Sequence, residues 1–144
     1  MTTTPWMAYA WAELGVHETP GPQCTARIAA YLASVHQPSQ DEIPWCAAFV
    51  GWCLQQAELP VTGSASSLSW AAWGMESAVP CYGDVVVFTR PPDPTHGHVA
   101  FLVDILPTGE YLVLGGNQSD AVSVTRFPQS RVKNLRRPPT VPRV

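Results

Sequence analysis

Charged residues and long apolar runs are both scarce in this sequence. Charged side chains make up 13% of the 144 residues, well below the share typical of globular proteins, whereas apolar residues make up 46%. This balance excludes a disordered chain, a coiled coil and a highly charged tail. No segment approaches the roughly 18 consecutive apolar residues of a membrane-spanning helix. We therefore expect one folded domain without a membrane span.

Basic residues are almost absent from most of the chain. Up to Thr125 there are only two, Arg27 and Arg90, against all eleven acidic residues, which gives this part a net charge of −9. Residues 126–144 carry six basic residues and no acidic one, a net charge of +6. The acidic body excludes a fold that binds nucleic acid across its whole face. We expect the basic C-terminal edge to be solvated, with attraction to an anionic wall or membrane surface as the alternative.

A Sec signal peptide and a paired-cysteine motif are both missing. The N-terminus, MTTTPWMAYAW, has no basic n-region and no apolar run of about 7–15 residues. We therefore expect synthesis in the cytoplasm and export by another route. The four cysteines form no CxxC pair, which argues against a structural zinc site and favours free thiols. No metal or other cofactor is expected.

The order of periodicities predicts an α+β fold, with N-terminal helices packed on a C-terminal antiparallel sheet. Apolar residues recur at helical spacing in the first half, and short β-branched runs follow after Val79. Helices are predicted over Pro5–Leu14, Thr25–Val35, Asp41–Leu59 and Ser66–Met75, and strands in VVVF, HVAFLVDIL, YLVLGG and AVSVTRF. Residues 1–137 are expected to form a single domain, and 138–144 a loose Pro-rich tail.

Cys46 is the residue whose position points most directly to chemistry. It lies in the first turn of the predicted third helix, directly after Pro44 and Trp45. Backbone N–H groups and the helix dipole at that end stabilise a thiolate, so we expect a pKa below that of an ordinary thiol. A thiolate nucleophile also needs a base that takes and returns a proton.

His98 and Asn117 are placed to complete a catalytic set with Cys46. His98 opens the strand HVAFLV after a flexible turn, and its imidazole is expected to project over the neighbouring helix. Asn117 ends the next strand, and alternation along YLVLGGN brings its side chain alongside His98. Its amide would accept the imidazole Nδ1–H and fix the ring's orientation. The alternatives are a buried inert thiol, a core histidine and a turn asparagine.

Four sequence blocks in this order resemble the papain-like peptidoglycan hydrolases of the CHAP and NlpC type. The blocks are PWCAAFVGWC, YGDVVVF, GHVAFLV and LGGNQSD, and they are most similar to a small branch found in phage lysins and interbacterial lytic effectors. The resemblance implies that Cys46 is the nucleophile, His98 the base and Asn117 the orienting residue. CHAP enzymes often carry a carboxylate two residues before that Asn, where this chain has Gly115. The orienting role therefore rests on Asn117, with Gln118 as a possible substitute for it.

The resemblance implies a thiol hydrolase that cleaves an amide bond in or next to the peptidoglycan stem peptide. The bond is that of an endopeptidase or of an N-acetylmuramoyl-L-alanine amidase. The rival interpretations are an inactive wall-binding module and a thiol hydrolase of a non-wall amide. A monomer acting in the periplasm or cell wall is expected, with peptidoglycan as substrate. Its further partner would be an immunity protein, or a holin that releases it.

Four residues near the predicted nucleophile are candidates for substrate binding: Trp45, Trp73, Asp41 and Glu42. The two indoles offer flat apolar surfaces for a peptide or saccharide, and the alternative for each is a place in the core. The two carboxylates would bind an amine or the diaminopimelate terminus of a stem peptide. Their alternative role is to cap the third helix and interact with its dipole.

Overall fold

The computed structural model describes residues 4–18, 25–35 and 45–139 of the chain. Three helices come first, α1 (Pro5–Ala12), α2 (Ala26–Ser34) and α3 (Cys46–Gln56), and a 3-10 helix (Ser67–Ala72) follows. Six strands make up the rest: β1 (Met75–Glu76), β2 (Val85–Arg90), β3 (Asp93–Ile105), β4 (Tyr111–Gln118), β5 (Ala121–Phe127) and β6 (Val132–Arg137), with a second 3-10 helix at Gln129–Arg131. The predicted α+β class is confirmed.

Helices α1 and α3 pack on one face of the sheet through apolar side chains, and α2 packs against α3. In α3, eight of the eleven residues are buried, which makes it the central helix of the layer. Helix α1 begins at Pro5 as predicted but ends at Ala12, two residues before the predicted end at Leu14, and its Trp11 is 38% exposed. None of the helices in the described part of the chain has the length and apolarity to cross a membrane.

The sheet is antiparallel throughout, with the strand order β1-β6-β2-β3-β4-β5. Strand β3 lies at its centre and pairs with β2 on one side and β4 on the other. Phe88 of β2 lies opposite His98, and the β3–β4 register begins only at the pair Phe101–Leu114. The segment of β3 that contains His98 therefore pairs with β2 but not with β4.

The sheet curls strongly, and this separates two cores. Phe127 of β5 stacks on Phe88 of β2 with ring centroids 4.6 Å apart, although β3 and β4 lie between these strands. The inner face of the curl holds a small apolar cluster, and the outer face packs on the helices. The inner cluster contains Val86, Phe88, Ala100, Leu102, Tyr111 and Val113; the outer strand residues include Val85, Val87, Val99, Phe101 and Leu114.

Strands β1 and β6 were not predicted from the sequence. Strand β6 inserts between β1 and β2, and the charged side chains within it suggested a solvated edge instead. Its last residue, Arg137, donates from Nε to Asp84 Oδ1 at 3.1 Å, and Asp84 is 2% exposed. Ser77 Oγ donates to the other carboxylate oxygen at 2.6 Å. A buried carboxylate thus holds the C-terminal strand in place, and the expectation of a wholly solvated basic edge is wrong.

Candidate active site

Cys46 is the first residue of α3, which confirms its predicted place in a first helical turn. Trp45 occupies the N-cap position, and its carbonyl accepts the N–H of Phe49 at 2.9 Å. The helix therefore begins later than the prediction from Asp41. The sulfur lies against β3 where its pairing with β4 has ended, and it accepts a hydrogen bond from the Val99 backbone. Cys46 thus reaches the strand one residue away from His98.

Burial decides the protonation state of Cys46. The residue is 7% exposed, and the loss of water around the sulfur raises the pKa of its thiol. Backbone hydrogen bonds from Val99 and Ala47 and the positive charge of Arg90 act in the opposite direction but are smaller. The expected lowering of this pKa is therefore wrong, because desolvation outweighs the helix N-terminus. The resting residue is a neutral thiol.

His98 lies on the inner face of the curled sheet, not over the helix as predicted. Its imidazole is stacked between Phe88 and Phe127, with centroid separations of 6.0 Å and 5.1 Å. The pKa of His98 is lowered to about 4, mainly by burial. A side-chain hydrogen bond acts against this lowering, and the positive charges of Arg131 and Arg90 add to it. The imidazole is therefore neutral near pH 7, as a general base must be.

Gln118 supplies that hydrogen bond and determines which imidazole nitrogen is the base. His98 Nε2 lies 2.8 Å from Gln118 Oε1, and Gln118 Nε2 donates to the Ser123 carbonyl at 2.7 Å. Because a carbonyl only accepts, the amide has one orientation, and Oε1 can only accept from His98. Nε2 therefore carries the imidazole proton and Nδ1 carries the lone pair. The prediction that the orienting amide binds Nδ1–H is wrong, and Nδ1 is the basic nitrogen.

A bulge in β4 explains why Gln118, and not Asn117, contacts the imidazole. Gly115 pairs with Ser123 and Gln118 with Ala121, so β4 has one residue more than β5 between these pairs. Asn117 has the left-handed φ of 57° that absorbs the extra residue. The bulge interrupts the alternation assumed along YLVLGGN. Asn117 makes no hydrogen bond to the ring within the described residues, and the contact predicted for it is made by the next residue.

Gly115 leaves the space into which the Gln118 side chain folds. A Cβ at position 115 would lie 2.5 Å from Gln118 Oε1 and 2.8 Å from Ala100 Cβ. The Gln118 amide therefore occupies the volume that a side chain at 115 would fill. This is the position where CHAP enzymes often have a carboxylate, so the polar group beside the histidine comes from three residues further along the chain.

Trp45 is a core residue and not a wall of a substrate cleft. Its side chain has no exposed surface and stacks on Tyr31 with ring centroids 5.8 Å apart. Its indole N–H donates to Glu18 Oε1 at 2.8 Å, and the Glu18 N–H donates to the Asp120 carbonyl at 2.9 Å. Glu18 thus connects the start of α3 to the β4–β5 turn beside Gln118. The predicted substrate contact at Trp45 is wrong because packing removes the ring from solvent.

The other predicted substrate residues do not join the described site. Trp73 is 8% exposed, packs edge-on against Trp70 and donates its indole N–H to the Pro60 carbonyl. Its predicted role as a binding surface is therefore wrong, because this packing removes most of the ring from solvent. Asp41 and Glu42 lie outside the described residues. Among the described cysteines, all three are free thiols. No group of three potential metal ligands occurs in the described ranges.

A pocket of about 460 Å³ opens beside the imidazole on the side of the β4–β5 turn. Its lining includes His98, Asn117, Gln118 and two guanidinium groups, Arg90 and Arg131. The sequence indicated no role for Arg90, and it placed Arg131 only in the basic C-terminal edge. The available signal was the rarity of basic residues, since Arg90 is one of only two before Thr125.

The comparison with known families agrees with this geometry. The CHAP domain family matches residues 38–117, a segment that begins before α3 and contains Cys46, His98 and Asn117. Among curated proteins, no relative matches the chain. CHAP domains are typically hydrolases that act on peptidoglycan. The chain belongs to the CHAP domain family and is a peptidoglycan hydrolase domain of the CHAP/NlpC type.

Proposed function

We propose that this protein hydrolyses an amide bond in or next to the peptidoglycan stem peptide, with Cys46 as nucleophile and His98 as base. The observation that carries the proposal is the hydrogen bond from His98 Nε2 to Gln118, because it leaves Nδ1 as the proton acceptor. The Cys46 sulfur binds the backbone of Val99, the residue next to His98. A neutral thiol and a neutral imidazole are a suitable starting pair for attack on an amide.

The reaction proceeds through a thioester. His98 Nδ1 takes the thiol proton while the Cys46 sulfur attacks the amide carbonyl carbon. The protonated imidazole then gives this proton to the leaving amine, and the carbon–nitrogen bond breaks. Water enters, gives a proton to Nδ1 and attacks the thioester carbon. The carbon–sulfur bond breaks, the sulfur regains its proton from the imidazole, and the carboxylic acid product leaves.

Two features of the chain stabilise charges that develop along this path. The backbone N–H of Cys46 lies at the start of α3, where N–H groups have no acceptor within the helix, and it serves as an oxyanion donor. Gln118 stabilises the imidazolium by accepting from Nε2 while Nδ1 holds the transferred proton. We assign to Gln118 the orienting role that the resemblance implied for Asn117. Asn117 lines the adjacent pocket.

Substitution of each reacting residue tests the mechanism. Cys46→Ala and His98→Ala are expected to abolish the release of new amines from purified sacculi, because each removes a group that every step requires. Cys53→Ala is the matched control: this thiol lies in the same helix, is fully buried and has no role in the reaction. It is expected to retain activity. Circular dichroism checks that all three variants keep the fold.

The outcomes separate the competing functions. Full activity of Cys46→Ala or His98→Ala contradicts the mechanism. Binding of the wild-type protein to sacculi without any soluble product supports an inactive wall-binding module. Cleavage of protein or lipid amides, with no effect on sacculi, supports a thiol hydrolase outside the wall. Mass analysis of the wall fragments distinguishes an endopeptidase from an amidase, and both belong to the present proposal.

A further inference from the structure

The pocket beside His98 has the size and the charge of a site for an anionic group. Its volume of about 460 Å³ falls within the range of about 300–1,000 Å³ typical of small-ligand pockets. Two guanidinium groups line it, and no carboxylate does so among the described residues. Both arginines also lower the pKa of His98, because their positive charges lie near the imidazole. The site is therefore electropositive in a body whose first 125 residues carry a net charge of −9.

Arg131 is held in place with donors to spare. Its Nε donates to the Thr89 carbonyl at 2.9 Å, and its guanidinium carbon lies 5.2 Å from the centroid of the Phe127 ring. Its terminal nitrogens make no hydrogen bond within the described residues. A guanidinium fixed by its Nε and by a ring face presents its terminal N–H groups at low entropic cost, which suits a carboxylate.

Arg90 adds a second, uncompensated charge at the same pocket. It is the last residue of β2, its side chain is exposed, and it forms neither an ion pair nor a hydrogen bond among the described residues. It directly follows Thr89, whose carbonyl accepts the hydrogen bond from Arg131. Two unpaired guanidinium groups around one cavity repel each other, and an anion between them removes this repulsion.

The position of the pocket indicates which part of the substrate it receives. Cys46 does not line it, whereas His98 does. Under the proposed function, the sulfur binds the acyl carbon and the imidazole gives its proton to the leaving amine. The fragment that carries the amine must therefore lie on the His98 side of the scissile bond, next to the two arginines.

We infer that Arg90 and Arg131 bind a free carboxylate on the residue that supplies the leaving amine. This inference rests on the proposed function and narrows it. A diamino-dicarboxylic acid residue in a stem peptide or cross-link keeps a free carboxylate when one of its amines is acylated. The first residue of the stem does not, because its carboxyl group is used in the next peptide bond. The arginine pair therefore selects endopeptidase cleavage over muramoyl amidase cleavage.

Two matched stem-peptide substrates test this inference. They differ only in whether the amine-side diamino-dicarboxylic residue carries a free carboxylate or a carboxamide at that position. Wild-type protein is expected to cleave the carboxylate form with a kcat/KM about 10- to 100-fold higher, as for a hydrogen bond to a charged group. Arg90→Gln and Arg131→Gln are each expected to reduce this preference, and Arg131→Lys to retain part of it.

Arg126→Gln is the control, since it removes the same charge from an exposed residue of β5 that does not line the pocket. It is expected to leave the preference unchanged. Equal cleavage of the two substrates by wild type, or a full preference in both glutamine variants, overturns the inference alone. Release from sacculi of an amine on the first stem residue also overturns it and leaves the proposed function intact. Cleavage of neither substrate and no amine from sacculi refutes the proposed function itself.

Discussion

One amide side chain determines which nitrogen of the His98 imidazole is basic. Gln118 is held by the Ser123 carbonyl, and this leaves its oxygen as the only atom that faces His98 Nε2. The pair is buried, with Gln118 4% and His98 5% exposed, so water does not replace the bond. Gln118 therefore determines the tautomer of His98. A substitution of Gln118 is expected to change kcat and not KM.

Gln118→Met keeps the approximate shape of the side chain and removes the acceptor. We expect kcat to fall by about 10²-fold, because a free imidazole tautomerises and shifts from the attacking geometry. KM should change little, since Gln118 acts through His98. Asn117→Ala, at the adjacent position, is expected to lower kcat much less because its amide does not contact the ring. Steady-state kinetics of both variants on one stem-peptide substrate check this. An equal loss in the two variants would return the orienting role to Asn117.

The β4 strand shows how a backbone irregularity changes a site. A regular strand places Gly115 and Asn117 on the inner face, whereas the bulge places Gly115 and Gln118 there. The exchange works only because position 115 has no side chain. The contact between Gln118 and His98 thus needs both the bulge and the glycine at position 115.

Gly115→Ala tests whether Gln118 needs the space at position 115. The added Cβ would overlap Gln118 Oε1 and Ala100 Cβ, so the amide must move away from His98. We expect a loss of kcat similar to that of Gln118→Met and a loss of stability of about 1–3 kcal/mol from overpacking. Gly51→Ala, in the middle of α3, is the control: its nearest neighbour is Trp70 Cζ2 at 3.7 Å, an ordinary contact.

Gly51→Ala is expected to be as stable as wild type or more stable by up to about 1 kcal/mol, because alanine favours a helix. Thermal unfolding and turnover of the two variants are measured together. Unchanged turnover in Gly115→Ala would show that Gln118 does not need this space.

The neutral buried His98 makes the stability of the entire domain depend on pH. In the unfolded chain this imidazole titrates near its ordinary pKa of 6.5, and in the folded protein burial lowers the pKa to about 4. Between these values the unfolded state binds a proton that the folded state does not bind. The free energy of unfolding therefore falls as pH decreases through this window, by up to about 3 kcal/mol. The contribution of His98 fades as pH rises through 6.5, where the unfolded imidazole also loses its proton.

Comparison with His98→Gln isolates this effect from the acidic residues, which titrate in the same range. Urea unfolding at several pH values is expected to show a steeper loss of stability for wild type than for the variant. Identical slopes would mean that the imidazole has the same pKa in the folded and unfolded states.

Local patterns were sufficient to predict the fold class, and they pointed to the two residues that we propose as nucleophile and base. The change from helical to alternating periodicity after Val79 predicted helices followed by an antiparallel sheet, because each pattern reports which face of a segment is buried. Family-specific blocks around Cys46 and His98 led to the CHAP family, whose match includes both. Strand β6 was missed because its charged residues suggested an exposed segment, whereas Arg137 pairs with a buried carboxylate 53 residues away in the sequence.

The protonation states and the orienting group depended on packing in three dimensions. Helix position alone favoured a thiolate at Cys46, but the desolvation that raises its pKa comes from strands remote in the chain. Alternation alone favoured Asn117, but the bulge set by pairing with β5 turned Gln118 inward. Sequence records which groups are present and their local spacing. Burial and the direction of a side chain arise from contacts between distant segments, and these decide the chemistry of the site.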